Sequence, residues 1–157
     1  MRMKWLSWRA LTDVVFPVMA GSLLYLLFRP VGLLFHRWLQ HAELGFVSLG
    51  RSSALVALPE NPVTEWLLFC LPDGLWLFAF ANALLLIWRE SAPRWRLVIL
   101  GALAVFYVIY EILQGTGAIS GTFDLMDVFT GLLALAVSAL IHLPKGGVYP
   151  VGEIKGC

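Results

Sequence analysis

Five polar side chains that could bind a ligand or transfer a proton stand beside or within long apolar runs: Asp73, Glu111, Gln114, Asp124 and Asp127. Acids and amides in a membrane interior are costly, so they usually mark a site or a buried polar contact. Their oxygens can hold a divalent cation, or they can accept hydrogen bonds from the hydroxyls of a glycan or lipid headgroup. Glu111 could also act as a general base. No Ser-His or Cys-His pair accompanies it, so the sequence leaves catalysis undecided.

The spacing of these residues predicts that they meet. Glu111 and Gln114 are three positions apart, as are Asp124 and Asp127, so each pair shares one helix face. Residues 115–123 contain three glycines and no charge, which suits an antiparallel hairpin that brings the two faces together. Crowded carboxylates at low dielectric then need protonation, a divalent cation, helix N-termini or a basic partner such as Arg37 or Arg51.

A second interpretation applies to two of the five residues. Asp73 follows Leu71-Pro72, and Asp124 opens the last apolar run. Acids at helix N-termini are common because they cap free backbone N–H groups and face the positive end of the helix dipole. For Asp73 and Asp124, capping is as good an explanation as ligand binding. For Glu111 and Asp127, a site or a specific polar contact is the better explanation.

The elements that carry these residues are membrane spans. Of 157 residues, 60% are hydrophobic and 13% are charged, and the apolar residues form runs near span length. The net charge of +1 sets aside nucleic-acid binding. We therefore predict an all-α integral membrane bundle, a single domain over 1–157, with four transmembrane helices at about 10–28, 72–88, 96–114 and 124–143.

The segment 29–71 is predicted to be extracytoplasmic. Residues 31–45 have the pattern of an interfacial helix. Residues 46–62 fit either a loop cap or a shallow re-entrant segment. Residues 64–71 suggest a short half-inserted helix that ends before Pro72, because the residue preceding a proline avoids the helical region.

The orientation follows from the positive charges. Eight of the eleven lysines and arginines lie at the two termini and in the 89–96 loop, and three lie in the segment 29–71. The positive-inside rule then places both termini in the cytoplasm of a multi-pass inner-membrane protein. In that orientation all five polar residues reach the outer leaflet.

Two stretches of the sequence resemble a known family. Glu111-x-x-Gln114, a glycine-bearing turn and Asp124-x-x-Asp127 are similar to the C-terminal signature of VanZ-like membrane proteins, and PDGLWLFAFANALLLIW at 72–88 resembles that family's motif of an aspartate followed by an aromatic, alanine-rich span. The resemblance covers residues 72–140. It implies a small polytopic protein of the bacterial cell envelope, in a family whose namesake is linked to resistance to a glycopeptide antibiotic. It also implies site roles for the same five residues.

The sequence departs from that family's pattern mainly at basic positions. Gly74 and Leu77 replace a lysine and a histidine, the turn 115–123 lacks an arginine, and Gly131 replaces an asparagine. An anionic ligand would therefore need Arg51 or a partner chain.

Two functions follow as hypotheses. In the first, the outer-leaflet acids bind a divalent cation or a polar lipid or glycan headgroup. In the second, the chain is a non-catalytic structural or accessory subunit of a larger membrane complex, with small-residue faces that allow close helix packing: Gly101, Ala102, Ala104, Gly131, Ala134 and Ala136.

Overall fold

The computed structural model describes residues 8–28, 61–90 and 92–142, and within these ranges the regular structure is helical. Four helices follow one another: α1 (Trp8–Phe28), α2 (Pro62–Ile87), α3 (Pro93–Gly115) and α4 (Leu125–His142). Each is long and apolar enough to cross a membrane. The predicted all-α architecture with four candidate spans is confirmed. The predicted interfacial helix, the cap or re-entrant segment up to residue 60, and the basic residues Arg37 and Arg51 lie outside the described residues.

Helix α2 is the centre of the bundle. It packs most extensively against α1, then against α4, and more lightly against α3, which lies mainly on α4. The buried core at the α2–α3–α4 contact consists of Ala81, Leu85, Leu100 and Leu135. Large apolar side chains on the other faces stay exposed, as with Phe106 at 69%. Apolar faces of this kind are suited to contact with lipid chains.

Helix α2 begins earlier than the sequence indicated. We expected a break before Pro72, with 64–71 as a separate short helix, but one continuous helix runs from Pro62 to Ile87. A π-helical turn at Trp66–Cys70 makes this continuity possible, since the Leu71 N–H donates to the Trp66 carbonyl five residues back. A proline has no N–H to donate, and its ring clashes with the carbonyl four residues earlier. The wider π-helical turn tolerates the missing hydrogen bond and makes room for the ring.

Helix α1 uses the same arrangement. A π-helical turn at Leu11–Val15 precedes Pro17, and the Phe16 N–H donates to the Leu11 carbonyl. A proline inside a helix is expected to kink or weaken it at that point. The structure shows the local adjustment, and the α-helix continues from Phe16 to Phe28.

Buried hydrogen bonds join α2 to α4 at two levels. In the middle of the bundle, the Asn82 Nδ2 donates to the Ser138 Oγ at 3.1 Å, and both residues are fully buried. Nearer the start of α4, the Trp66 Nε1 donates to the Thr130 Oγ1 at 2.7 Å. Such bonds fix the rotation of one membrane helix against another, because an unmet polar group is costly there.

At the opposite end of the bundle, Arg96 joins three helices. Its guanidinium donates to the His142 carbonyl at the end of α4, at 3.0 Å, and to the Arg89 carbonyl just beyond α2. Arginine at these positions meets carbonyls that no longer have helical partners, and its charge complements the negative helix ends.

Candidate functional site

The site lies where the α3–α4 hairpin meets α2. Helix α3 ends in a Schellman motif, in which the Gly117 N–H donates to the Gln114 carbonyl and the Ala118 N–H to the Leu113 carbonyl, both at 3.0 Å. Gly117 has φ 74°, the left-handed conformation that glycine adopts without strain. The Schellman motif ends α3 just after Gln114 and the chain then reverses its direction, so the end of α3 faces the start of α4.

Asp124 caps α4. Its Oδ1 accepts a hydrogen bond from the Met126 N–H at 2.8 Å, and its side chain is exposed. A helix that starts at Leu125 has free N–H groups in its first turn, and a preceding aspartate satisfies one of them. In the described residues, Asp124 therefore has the geometry of an N-cap.

The other four predicted site residues line one pocket. Asp73 from α2, Glu111 and Gln114 from α3, and Asp127 from α4 all face a partly open cavity of about 440 Å³. We call this cavity the acidic pocket. Its remaining walls are largely aromatic and apolar: Trp76, Leu77, Phe80, Tyr107, Tyr110, Gly121 and Thr122.

Glu111 is the most deeply placed acid of the pocket, at 4% exposure. The backbone N–H of Asp124 is directed at its carboxylate, so the start of α4 supports one side of the group. Its Oε2 is buried and has no hydrogen-bond partner among the residues the structure describes. A buried carboxylate oxygen without a donor is costly.

Asp127 lies between the acidic pocket and a second cavity of about 510 Å³ on the other side of α4, which Glu65 and Cys70 also line. The Cys70 thiol lies close enough to the Asp127 carboxyl group to interact with it electrostatically. The Asp127 backbone carbonyl accepts a bond from the Tyr107 hydroxyl at 3.1 Å. Asp127 thus has neighbours from α2 and from α3 at once.

The described acids are spread around the pocket and do not form one tight cluster. Among residues 8–28, 61–90 and 92–142, no group of three His, Cys, Asp or Glu residues could hold a metal ion. Glu111, Asp73 and Asp127 are close enough to influence one another electrostatically. They are distributed around a cavity of ligand size, which is the arrangement of a binding pocket for a polar group.

Sequence reasoning missed the aromatic part of the site. Trp76, Tyr107 and Tyr110 were not among the residues predicted for the site, although all three line the pocket. A signal was present, because Tyr107 lies four residues before Glu111 and Trp76 three residues after Asp73, which places each on the same helix face as its acid.

The four apolar helices identify the chain as a multi-pass membrane protein, and its polar residues form a pocket near one end of the bundle. No family model, curated protein or solved structure matches the chain.

Proposed function

We propose that this chain is a VanZ-like protein of the bacterial inner membrane, with both termini in the cytoplasm, whose acidic pocket binds the polar headgroup of an envelope lipid or a glycan precursor. The observation that carries the proposal is the buried Glu111 Oε2, which has no donor within the described part of the chain and belongs to a residue that lines a cavity. Asp73 and Asp127 line the same cavity and supply further acceptors.

The depth of the acids supports a ligand that comes from the lipid surface. At 1.5 Å per residue, Asp73 lies about 21 Å from the far end of α2, Asp127 about 22 Å from the far end of α4, and Glu111 about 25 Å from Arg94 in α3. The hydrocarbon core is about 30 Å thick. The three acids therefore share one level just inside the headgroup region of a single leaflet.

The lining supports a headgroup in preference to the divalent cation that the sequence left open. A bare divalent cation needs several oxygen ligands at about 2.0–2.6 Å, and the described residues contain no such cluster. A lipid headgroup binds best where polar groups contact its polar atoms and apolar side chains contact the rest of it. Leu77, Phe80 and the aromatic rings supply apolar surface in the same cavity as Glu111 and Gln114.

The experiment compares Glu111→Gln and Asp127→Asn with Glu90→Gln, a matched control at an exposed residue outside the pocket. The full chain is purified in a non-ionic detergent and stripped of lipid, and its Tm is measured with bacterial polar lipid extract or with diacylglycerol, which lacks a headgroup. We expect polar lipids to raise the Tm of the wild type and of the control above the diacylglycerol value. Both pocket variants should lose that difference. If they keep it in full, headgroup binding at this pocket is refuted.

A second candidate function is an accessory subunit of a larger complex. Gly101 and Ala102 on α3 are exposed, and a side chain added at Gly101 would meet no atom within 4 Å in the described chain. Small residues on a membrane helix let another helix approach closely. Extraction from native membranes in a mild detergent, followed by mass measurement, tests this function. A stable heteromeric species favours it, and a chain that migrates alone counts against it.

A further inference from the structure

We infer that the acidic pocket selects a primary ammonium group, and that headgroups whose only charge is negative are disfavoured. This inference rests on the proposed function, because it names the chemistry of the group that the same pocket binds. It is independent of whether that ammonium belongs to a lipid headgroup or to a soluble amine.

The charge of the lining is the first step. Its ionisable acids are Asp73, Glu111 and Asp127, and no lysine, arginine or histidine is among the described residues that line it. The described basic residues lie at the other end of the bundle, where Arg96 joins α3 to the end of α4. An anionic group placed in the pocket would meet like charges and no compensating cation among the described lining residues, which disfavours it strongly.

The unmet acceptor is the second step. Oε2 of Glu111 lacks a donor in the described chain, and the nearby Tyr107 hydroxyl is already engaged with the Asp127 carbonyl. A sugar hydroxyl could donate one hydrogen bond to Oε2, but it carries no positive charge for the neighbouring acids. A primary ammonium carries three N–H donors and a positive charge, so it can serve more than one of the acids through charge-assisted bonds.

The aromatic wall is the third step. Rings of Trp76, Tyr107 and Tyr110 line the same cavity as the acids. The faces of such rings attract cations when water is excluded. Aromatic rings next to carboxylates form a surface that favours an organic cation, and neither component favours a phosphate.

The open side of the pocket is the last step. The cavity is only partly enclosed, so the ammonium can lie inside while the rest of its molecule stays outside. For a zwitterionic lipid this places the amine among the acids and the phosphate beyond them.

The test uses four probes on the delipidated full chain: short-chain phosphatidylethanolamine, phosphatidylcholine and phosphatidylglycerol with identical acyl chains, and free ethanolamine. Binding is measured by native mass spectrometry and by the shift in Tm. Phosphatidylcholine keeps the positive charge without N–H donors, and phosphatidylglycerol keeps the phosphate without an amine. We expect phosphatidylethanolamine to bind about tenfold or more tightly than phosphatidylglycerol, and phosphatidylcholine to lie between them.

Variants of the pocket residues test whether the preference for phosphatidylethanolamine arises in the acidic pocket. Glu111→Gln and Asp127→Asn should bring phosphatidylethanolamine binding to the phosphatidylglycerol level, while Glu90→Gln should leave the tenfold ratio intact. Circular dichroism melting verifies that each variant is folded. Binding of free ethanolamine with the same dependence on Glu111 would identify a soluble amine as a sufficient ligand. Binding of the lipid alone would identify the headgroup of a lipid, and either result supports the inference.

Three results would overturn it, and they differ in what they say about the proposed function. Equal binding of phosphatidylethanolamine and phosphatidylglycerol, lost in both pocket variants, would refute ammonium selectivity and leave headgroup binding standing. Binding of every probe unchanged in Glu111→Gln and Asp127→Asn would refute both. Phosphatidylcholine that binds as tightly as phosphatidylethanolamine would refute the role of the N–H donors.

Discussion

Replacing Gly131 with alanine should damage the contact between α3 and α4 that supports the acidic pocket. A Cβ atom built on Gly131 would lie 2.2 Å from Cε1 and 2.7 Å from Cζ of Tyr107. These are ring atoms of a side chain whose hydroxyl is bonded to the Asp127 carbonyl. The ring must therefore move as a body, and the hydrogen bond must stretch or break.

The magnitude follows from three contributions. Overpacking of this kind costs about 1–3 kcal/mol, and an average hydrogen bond between membrane helices contributes about 0.6 kcal/mol. Alanine is a better helix former than glycine by about 1 kcal/mol, which offsets part of the loss. We expect Gly131→Ala to lower the free energy of unfolding by roughly 0.6–2.6 kcal/mol.

Gly101 provides the matched control. It lies in the interior of α3, and an added Cβ would meet nothing within 4 Å in the described chain. Gly101→Ala should be neutral or stabilising by up to about 1 kcal/mol. Both variants are unfolded in mixtures of dodecyl maltoside and SDS, followed by circular dichroism. Equal effects of the two substitutions, or a Gly131→Ala variant as stable as the wild type, would refute the close packing of Tyr107 on α4.

Three further predictions concern the polar contacts between helices. A double-mutant cycle with Asn82→Leu and Ser138→Ala should give a coupling of about 0.6 kcal/mol in the same unfolding assay, and zero coupling would contradict the buried bond between them. Trp66→Phe should destabilise by about 0.6–1.7 kcal/mol through loss of the indole N–H bond to Thr130, and the loss should vanish in a Thr130→Val background. Arg96→Gln should destabilise by about 1.5–3 kcal/mol, because two carbonyls lose a charged donor. Unchanged chemical unfolding of that variant would show that water replaces the guanidinium without cost.

The four spans could be predicted because long apolar runs carry a strong signal, but the start of α2 could not be predicted from Pro72 alone. The rule that a proline ends a preceding helix competes with the ability of a π-helical turn to accommodate it. A local signal for the true start was nevertheless present. Asn61 accepts a hydrogen bond from the Thr64 N–H at 2.9 Å, and Pro62 occupies the first helical position. Asparagine followed by proline is a common way for a helix to begin.

The meeting of Glu111, Gln114 and Asp127 followed from spacing, because residues three apart share a helix face and a short glycine-rich turn brings two faces together. The burial of Glu111 could not be predicted in this way. It depends on Tyr107, on the Asp124 backbone N–H and on the position of α2. Spacing fixes the face of a helix, whereas the depth of a side chain depends on neighbours from distant parts of the chain.

The continuity of α2 past Pro72 connects the fold to the site. Because the π-helical turn carries the helix on through Trp66 and Cys70, both residues reach α4, where the indole donates to Thr130 and the thiol lies beside the Asp127 carboxyl group. If the helix began at Pro72, Trp66 and Cys70 would not be part of it, and the side of Asp127 that faces the second cavity would lack these neighbours. The extra turns of α2 thus border the carboxyl group of Asp127 on one side while Tyr107 holds its backbone from the other. An acid flanked by two helices is pre-organised for a ligand, since little ordering remains to be done when the ligand binds.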